Sequence, residues 1–309
     1  MLIDNRSARA GQRFSFIPSW LQPNSSGASL DLVMRLTLID LLLRPMGPWF
    51  VRALLLLIST LGLIVPVVLG SPLTWLATFL LIALRIVLDW PLADNHIYLL
   101  AYWTLALAIA LTSREAAVAA GTSARWLLGL AFTFAVIWKG LLSPEYRDGR
   151  FFTVTLLTDD RFADAVMLFG GLSEADLVEN RKYLQPLPEG AAWFDKFLKQ
   201  PPAFRTLVAA STWGTLAFEA AVALTCLLPL PAAWQGLRHA VLLAFCVATY
   251  SFAPVAGFGW LLVVMGLALC RPEQRRLRAA YVAVYCLVLL YSEVPWAGLI
   301  LEWSQSWIT

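Results

Sequence analysis

Long apolar segments separated by short polar breaks occupy most of the chain. Most are roughly 17–25 residues long, which is enough for a helix to cross about 30 Å of hydrocarbon. Because lipid offers no partners to the backbone, such continuous apolar segments are expected to be helices. The pattern predicts an all-α, polytopic integral membrane bundle. The clear segments are 50–69, 73–90, 97–112, 126–142, 206–230, 237–253, 258–270 and 279–301.

The first apolar segment, residues 30–46, is ambiguous because four charged side chains interrupt it. It is either a first span or an amphipathic helix lying in the interface. If it spans, the bundle has nine transmembrane helices rather than eight, and the basic residues fall on one side, as the positive-inside rule expects. We therefore favour nine spans. Those basic residues are the N-terminal arginines, Arg114, Arg125, Arg238 and the 271–278 cluster.

The remaining polar stretches define the domain organisation. Residues 1–29 form a polar, arginine-containing segment that we expect in the cytoplasm, followed by membrane helices over 30–142. Residues 143–205 are too charged to span and are expected to form a small helical cap outside the cytoplasm, before further membrane helices over 206–309. This cap is also a candidate surface for a protein partner.

Local patterns within the cap predict three short helices. Residues 159–169 alternate acidic and apolar side chains at helical spacing, and 193–199 form a second short amphipathic stretch. Ser173 to Asp176 resembles a capping box at the start of a further helix.

Composition supports a membrane protein. Of 309 residues, 60% are hydrophobic and 14% are charged, against about 25% in soluble domains. The mean hydropathy is +0.71, and the net charge of +3 is too small to suggest a nucleic-acid partner. The polar N-terminus does not resemble a signal peptide, so we expect the first membrane helix to direct insertion. Lipid is the expected surrounding partner, and a bacterial inner membrane is the expected location.

Metal chemistry is not indicated. The four cysteines lie in or at the ends of apolar segments without metal-ligand spacing, and the chain has two histidines. We expect the cysteines to be small core residues and predict no metal site.

The junction between two apolar segments carries the first candidate chemistry. Residues 84–107 run into Asp89, break at Pro91, and expose Asp94, Asn95 and His96 before turning apolar again. An imidazole titrates at about pH 6.5, so His96 is a candidate acid or base. The alternative is a helix-end histidine that Asp94 or water satisfies. Asp89 either orients this site or caps its helix.

Charged residues inside the apolar segments are the second candidate set. Lys139 is either a base in a dry site or a side chain that reaches the interface. Glu219 lies near the middle of an apolar segment and must be paired or protonated. We expect Arg85 as its internal partner, and an ion pair that only holds the bundle together is the structural alternative. Glu219, Asp89 and Arg85 are thus candidates for binding a cofactor.

Four stretches resemble the membrane domain of vitamin K-dependent γ-glutamyl carboxylases. That domain is shared with bacterial horizontally transferred transmembrane (HTTM) proteins and is related to DoxX-like proteins. The Asp and Asn-His-x-Tyr-Leu pattern, the helix-ending lysine, the mid-span acid and the Phe-x-x-Gly-x-Phe hairpin occur in the family's order. These stretches are 89–99 (DWPLADNHIYL), 138–149 (WKGLLSPEYRDG), Glu219 within 213–228, and 252–258 (FAPVAGF).

The resemblance implies a quinone-type cofactor, such as reduced vitamin K. In the carboxylases a lysine is thought to deprotonate the quinol, which oxygen converts into a strong base, while the histidine stabilises charge. Carried over, these roles fall on Lys139, with Asn95 and His96 matching the motif. Three departures are visible: Gly140 is extra after the lysine, Cys246 stands at about a histidine position, and the large lumenal region after the membrane domain is missing. We therefore do not expect a propeptide-directed carboxylase.

Two functions remain open. The first is a membrane protein with an outward-facing polar pocket that binds a quinone or another lipophilic molecule for redox-coupled proton chemistry. In it, the candidate catalytic residues are His96, Asn95 and Lys139. The second is a non-catalytic membrane subunit or anchor whose cap docks a redox or periplasmic partner. A transporter is a third choice, although no inverted repeat is visible. Convergence of Asn95, His96, Lys139 and Glu219 on one pocket would favour the first.

Overall fold

The structure, a computed structural model, describes residues 26–185, 197–253 and 255–306, and these form helices joined by short loops. The first half contains α1 (Ser26–Leu43), α2 (Trp49–Ile64), α3 (Pro66–Leu69), α4 (Pro72–Leu88), α5 (Asn95–Ala110) and α6 (Ala116–Ile137). The cap contains α7 (Pro144–Arg147), α8 (Arg150–Thr158), α9 (Ala163–Gly170) and α10 (Glu174–Leu184). The remainder contains α11 (Pro202–Leu227), α12 (Gln235–Phe252), α13 (Ala256–Ala268), α14 (Arg275–Glu293) and α15 (Trp296–Gln305). The all-α prediction is confirmed for the described residues.

Fewer helices than predicted are long and apolar enough to cross a bilayer by themselves. Among the described residues, Ala116–Leu142 and Pro202–Leu227 meet that test, and the segments Arg275–Tyr291 and Trp296–Ser304 would add a third if they act as one span bent by 62°. Helices such as α2 and α5 have 16 residues, and a rise of 1.5 Å per residue makes each about 24 Å long. Helix length and composition thus support two or three spans. The eight or nine spans predicted from the sequence stay a prediction.

The long helices pack in chain order around one apolar core. Each of α1, α2, α4, α5, α6, α11, α12, α13 and α14 contacts the next one in that series. The closest pair is α6 and α11, where Gly129 lies against Leu227 and Lys139 meets Glu219, so the two helices run antiparallel. A Cβ on Gly129 would lie 2.5 Å from the Leu227 side chain, which explains why glycine is present at this crossing.

Several helices begin before the predicted apolar segments, and two of these differences are informative. α1 begins at Ser26, inside the segment predicted as a polar tail, and residues 1–25 of that tail lie outside the described residues. α6 begins at Ala116 rather than at Trp126. The reason is the alanine-rich stretch 116–120, because alanine has the highest intrinsic helix propensity even where hydropathy is unremarkable.

The cap has its own small core. Phe162, Val166 and Leu177 are buried with neighbouring apolar residues and pack on Phe204 at the start of α11. The predicted helix over 159–169 forms as a 3₁₀ turn followed by α9, and the capping box of Ser173 and Asp176 is confirmed at the start of α10. Most of the predicted helix 193–199 lies outside the described residues, and 197–200 are not helical.

The segment after the undescribed part of the cap is fixed on α10. The buried Asn180 amide donates to the Lys199 carbonyl at 3.0 Å and accepts from the Lys199 N–H at 2.8 Å. The Lys199 ammonium pairs with Asp176 at 2.8 Å and Glu179 at 2.7 Å. Its hydrogen bond and that from Ser173 hold the pKa of the Asp176 carboxyl well below its usual value. This attachment sets where α11, and with it Glu219, enters the bundle.

We predict that Asn180→Ala loosens the cap. Both backbone groups of Lys199 lose their partner, at a cost of about 1–3 kcal/mol in the free energy of unfolding. Limited proteolysis and thermal unfolding of the purified protein measure the loss. Lys182→Ala, an exposed change on the same helix, should alter neither, and an equal effect of both variants would contradict this attachment.

Candidate functional site

The predicted Asn-His site lies where α4 ends and α5 begins. Asn95 is the first residue of α5 and is exposed. The His96 imidazole is partly buried, with its Nε2 at 3.9 Å from an Asp94 carboxylate oxygen and its ring centroid 6.3 Å from that of Phe258. The carboxylate and the imidazole therefore interact weakly.

Two arginines stand near His96. Arg85 pairs with Asp89 at 2.9 Å, one helical turn further on. Arg44 pairs with the buried Asp40 at 3.0 Å, and its guanidinium lies so close to the Gly257 backbone that any side chain there would overlap it. Both positive charges are close enough to act on the His96 ring. The Asn-His region thus contains two arginine–aspartate pairs close to the imidazole.

The predicted ion pair between Arg85 and Glu219 is wrong. Arg85 is bound to Asp89, whereas the Glu219 carboxylate accepts a hydrogen bond from the Lys139 ammonium. Arg85 lies on α4 and Glu219 on α11, and these two helices are not in substantial contact. Sequence reasoning chose Arg85 because it is the basic residue within an apolar segment, but α6 is the helix that packs on α11.

The Lys139–Glu219 pair is a largely buried charged contact between two helices of the bundle. The exposed fractions of the two side chains are 26% for Lys139 and 7% for Glu219. Lys139 lies in a π-helical turn, Trp138–Leu142, where the Ser143 N–H bonds to the Trp138 carbonyl at 2.9 Å. Such turns hold one residue more than an α-helical turn and occur often at functional sites. The Lys139 ammonium also stands 5.3 Å from the centroid of the Tyr146 ring.

Four buried oxygens on α7, α11 and α12, at this end of the bundle, have no hydrogen-bond partner among the described residues. They are the second carboxylate oxygen of Glu219 and the hydroxyls of Tyr146, Thr212 and Tyr250; the Thr215 side chain is close to the Tyr146 hydroxyl but outside hydrogen-bond geometry. All four side chains belong to residues that are at most 8% exposed. The Glu219 charge acts on both tyrosine hydroxyls, and Thr212 lies two turns before Glu219 on the same face of α11. We call these residues, with Lys139, the hydroxyl site.

Unpaired buried polar groups are costly. Each lowers the free energy of unfolding by about 1–3 kcal/mol, so native proteins contain few of them. Clusters of such groups are typical of functional sites, where stability is sacrificed. Burial raises the pKa of the Tyr146 phenol well above its usual value, so this hydroxyl stays protonated and can donate. The hydroxyl site thus offers three hydroxyl donors, an ammonium and a carboxylate acceptor in an apolar setting.

The predicted convergence of all four candidates on one pocket is met only in part. Lys139 and Glu219 come together, whereas no hydrogen bond or ion pair among the described residues joins either of them to Asn95 or His96. The two sets lie at the same end of the bundle. The α12–α13 hairpin connects them, because Phe258 faces His96 and a Cβ on the next residue, Gly259, would meet the Tyr250 ring at 2.9 Å.

Sequence reasoning missed the hydroxyl groups. Tyr146 was part of the aromatic-acidic pattern after Lys139 but had no assigned role, and Thr212 and Tyr250 were not singled out. Hydroxyls inside apolar helices usually bond to their own backbone, as Thr78 does to the Thr74 carbonyl at 2.8 Å. Only the structure distinguishes the satisfied hydroxyls from the unsatisfied ones.

We predict that removing a hydroxyl from this site does not destabilise the protein. Tyr250→Phe and Thr212→Val should leave the thermal midpoint of the purified protein unchanged or raise it by about 2 °C, since a buried group without a partner is removed. Tyr285→Phe is the matched control, because the Tyr285 hydroxyl donates to the Leu36 carbonyl at 3.1 Å. The control should lower the midpoint, and equal losses in all three variants would contradict the prediction.

The chain was compared with models of protein families, with curated proteins and with solved structures, and no match was found in any of the three. Its function must therefore be argued from the site itself. The feature to explain is a largely buried lysine–glutamate pair, with hydroxyls at the same end of the bundle that lack hydrogen-bond partners among the described residues.

Proposed function

We propose that the chain is a membrane protein of nine spans whose cap lies outside the cytoplasm of a bacterium. The supporting observation is that, among the described residues, nine helices pack in chain order. Because short loops join most of them, consecutive helices alternate in direction, so that Lys139, His96 and the cap fall at one end. Arg114, Arg125, Arg238 and the arginines of 271–278 fall at the other end, as the positive-inside rule expects of a cytoplasmic face, whereas Arg44 and Arg85 at the His96 end are each paired with an aspartate. Helices of about 24 Å are shorter than the hydrocarbon layer of about 30 Å. Side chains at the interface and local thinning of the bilayer can cover that difference in length.

We further propose that the hydroxyl site binds a quinone or quinol. The observation that carries this proposal is the set of four unpaired oxygens at the end of the bundle that contains Lys139 and Glu219. A quinone is flat, apolar and soluble in the bilayer, with two carbonyl oxygens that accept hydrogen bonds from hydroxyls or an ammonium. Its reduced form carries two hydroxyls, and one of these could donate to the unpaired Glu219 oxygen.

The chemistry that this arrangement supports is proton transfer at a quinol. With a quinol bound, the Glu219 carboxylate would be placed to accept a proton from one of its hydroxyls, and the Lys139 ammonium would be placed to stabilise the negative charge left behind. Low water content would strengthen both interactions. The site therefore suits proton transfer coupled to the redox chemistry that a bound quinone would supply.

The resemblance to the γ-carboxylase and HTTM membrane domain adds to this proposal. The lysine of that family is matched by Lys139. The extra Gly140 falls within the π-helical turn, and such a turn accommodates one added residue without shifting the helix that precedes it. Asn95 begins a helix, as the motif requires. We propose Asn95 and His96 as a second contact region, reached through the α12–α13 hairpin, for a quinone such as reduced vitamin K.

A non-catalytic anchor is the second candidate. The observation that favours it is a set of exposed aromatic side chains on the cap, with Phe169 50% and Phe197 82% exposed. These would suit docking of a periplasmic or membrane-bound redox partner. In that case the Lys139–Glu219 pair would only hold α6 and α11 together.

We predict that the purified protein retains a quinone through the hydroxyl site. The double variant Thr212→Val/Tyr250→Phe should retain at least about fivefold less, since two hydrogen bonds are lost at roughly 0.5–1.5 kcal/mol each. Gentle solubilisation, organic extraction and mass spectrometry of the extract measure the bound quinone per protein.

The control is Tyr102→Phe/Thr104→Val, which removes the same two hydroxyl types from α5, away from the site. Its quinone content should equal that of the wild type. If the wild type retains no quinone, even after incubation with one, the enzyme proposal fails and the anchor is favoured. Equal retention by both double variants would place any quinone elsewhere.

A further inference from the structure

A cavity of about 400 Å³ lies at the end of the bundle away from the cap, between α6, α12 and the loop after α13. Its polar lining comprises three arginines, two glutamines and a histidine: Arg125, Arg238, Arg271, Gln235, Gln274 and His239. No carboxylate of the described residues lines it. Neither the proposed quinone chemistry nor the bundle core uses these groups.

The arginines are positioned but not neutralised. The Nε atoms of Arg125 and Arg238 donate to carbonyls at the end of α11, from Cys226 at 2.7 Å and Thr225 at 2.8 Å. Arg271 donates to the Gln235 side chain at 2.6 Å. In the described part of the chain none of the three forms an ion pair with an acid. Arg125 also donates from one outer nitrogen to the Leu227 carbonyl at 3.3 Å. Carbonyl anchoring of this kind orients the guanidinium groups while leaving further N–H donors for a ligand.

Gathering three positive charges around one cavity is unfavourable unless an anion offsets it. Arg125 and Arg238 are close enough to act on each other electrostatically. Planar guanidinium groups match phosphate oxygens in pairs, which makes arginine the usual residue for binding phosphate groups. The cavity therefore selects for a phosphate-bearing ligand.

A second cavity of about 390 Å³ adjoins the first and is lined mainly by apolar residues. The two share Arg125, Leu269 and Arg271 as walls. The second is otherwise formed by side chains such as Leu30, Ala117 and Val118 from α1 and α6. A cationic cavity joined to an apolar one fits a molecule with an anionic head and a hydrocarbon tail.

We propose that the two cavities together form a binding site for an anionic phospholipid. The phosphate lies between Arg125, Arg238 and Arg271, and part of an acyl chain lies along Leu30 and Val118. Basic pockets between membrane helices on the cytoplasmic side are suited to anionic headgroups. The bound lipid fixes α6, α11 and α12 at this end and does not depend on the quinone proposal.

Lipid titration with native mass spectrometry tests the site on the full chain. The wild type is titrated in detergent with phosphatidylglycerol, with phosphatidylcholine and, separately, with inorganic phosphate. Phosphatidylglycerol should bind at least about tenfold more tightly than phosphatidylcholine, and inorganic phosphate should not displace it at equal concentration. Arg271→Gln should weaken phosphatidylglycerol binding about fivefold, since one arginine near the headgroup is lost.

Arg276→Gln is the matched control, because Arg276 is an exposed arginine of the same basic segment that lines neither cavity. It should change binding less than twofold. Arg238→Lys, which keeps the charge and loses the planar fork, should weaken binding without unfolding the protein. Equal affinity for both lipids, equal effects of the 271 and 276 variants, or displacement by inorganic phosphate would each overturn the lipid assignment.

Discussion

A charge inside an apolar bundle must be paired, and this requirement explains much of the arrangement around α6 and α11. Glu219 lies in the second half of a 26-residue apolar helix, where an unpaired carboxylate would be costly. Its partner Lys139 stands on the neighbouring helix, at the point where a π-helical turn adds one residue. The pair therefore fixes the register of the two longest apolar helices. It also explains why Gly129, further along the same contact, must be small.

The same pairing creates the site, because it satisfies only one of the two Glu219 oxygens. The other oxygen faces an interior that also contains unpaired hydroxyls from α7, α11 and α12. A purely structural pair would be expected to have its remaining oxygen bonded, since a half-satisfied polar network is less stable than an apolar core. The unpaired polar groups at this end therefore lower the stability of the bundle, and a ligand with two oxygens would offset that loss by hydrogen bonding to them. At the other end, three arginines line a cavity, and an anion would offset their mutual repulsion.

The sequence predicted the helical class, helix formation over 159–169 and the capping box of the cap, because hydropathy and capping patterns are local signals. It also singled out Lys139, Glu219 and His96 as candidates, because isolated charges in apolar segments are local signals too. It did not predict which charges meet. Arg85 was predicted as the partner of Glu219. In the structure it pairs instead with Asp89, which follows it by four residues at the end of α4. Helix starts were misplaced at Ser26 and Ala116, where propensity rather than hydropathy decides. The sequence could not identify the hydroxyls of Thr212 and Tyr250 as site groups. What distinguishes them is that they have no hydrogen-bond partner among the described residues, and this depends on three-dimensional packing.

The coupling between Lys139 and Glu219 tests the central claim most directly. Thermal unfolding of Lys139→Met, Glu219→Leu and the double variant, in one detergent, forms a double-mutant cycle. Each single change should lower the unfolding free energy by about 1–3 kcal/mol, less than the 3–5 kcal/mol typical of a fully buried pair, because Lys139 is 26% exposed. The double variant should recover at least half of the loss, since no unpaired charge remains. Additive losses would show that the two side chains act independently and would contradict the account.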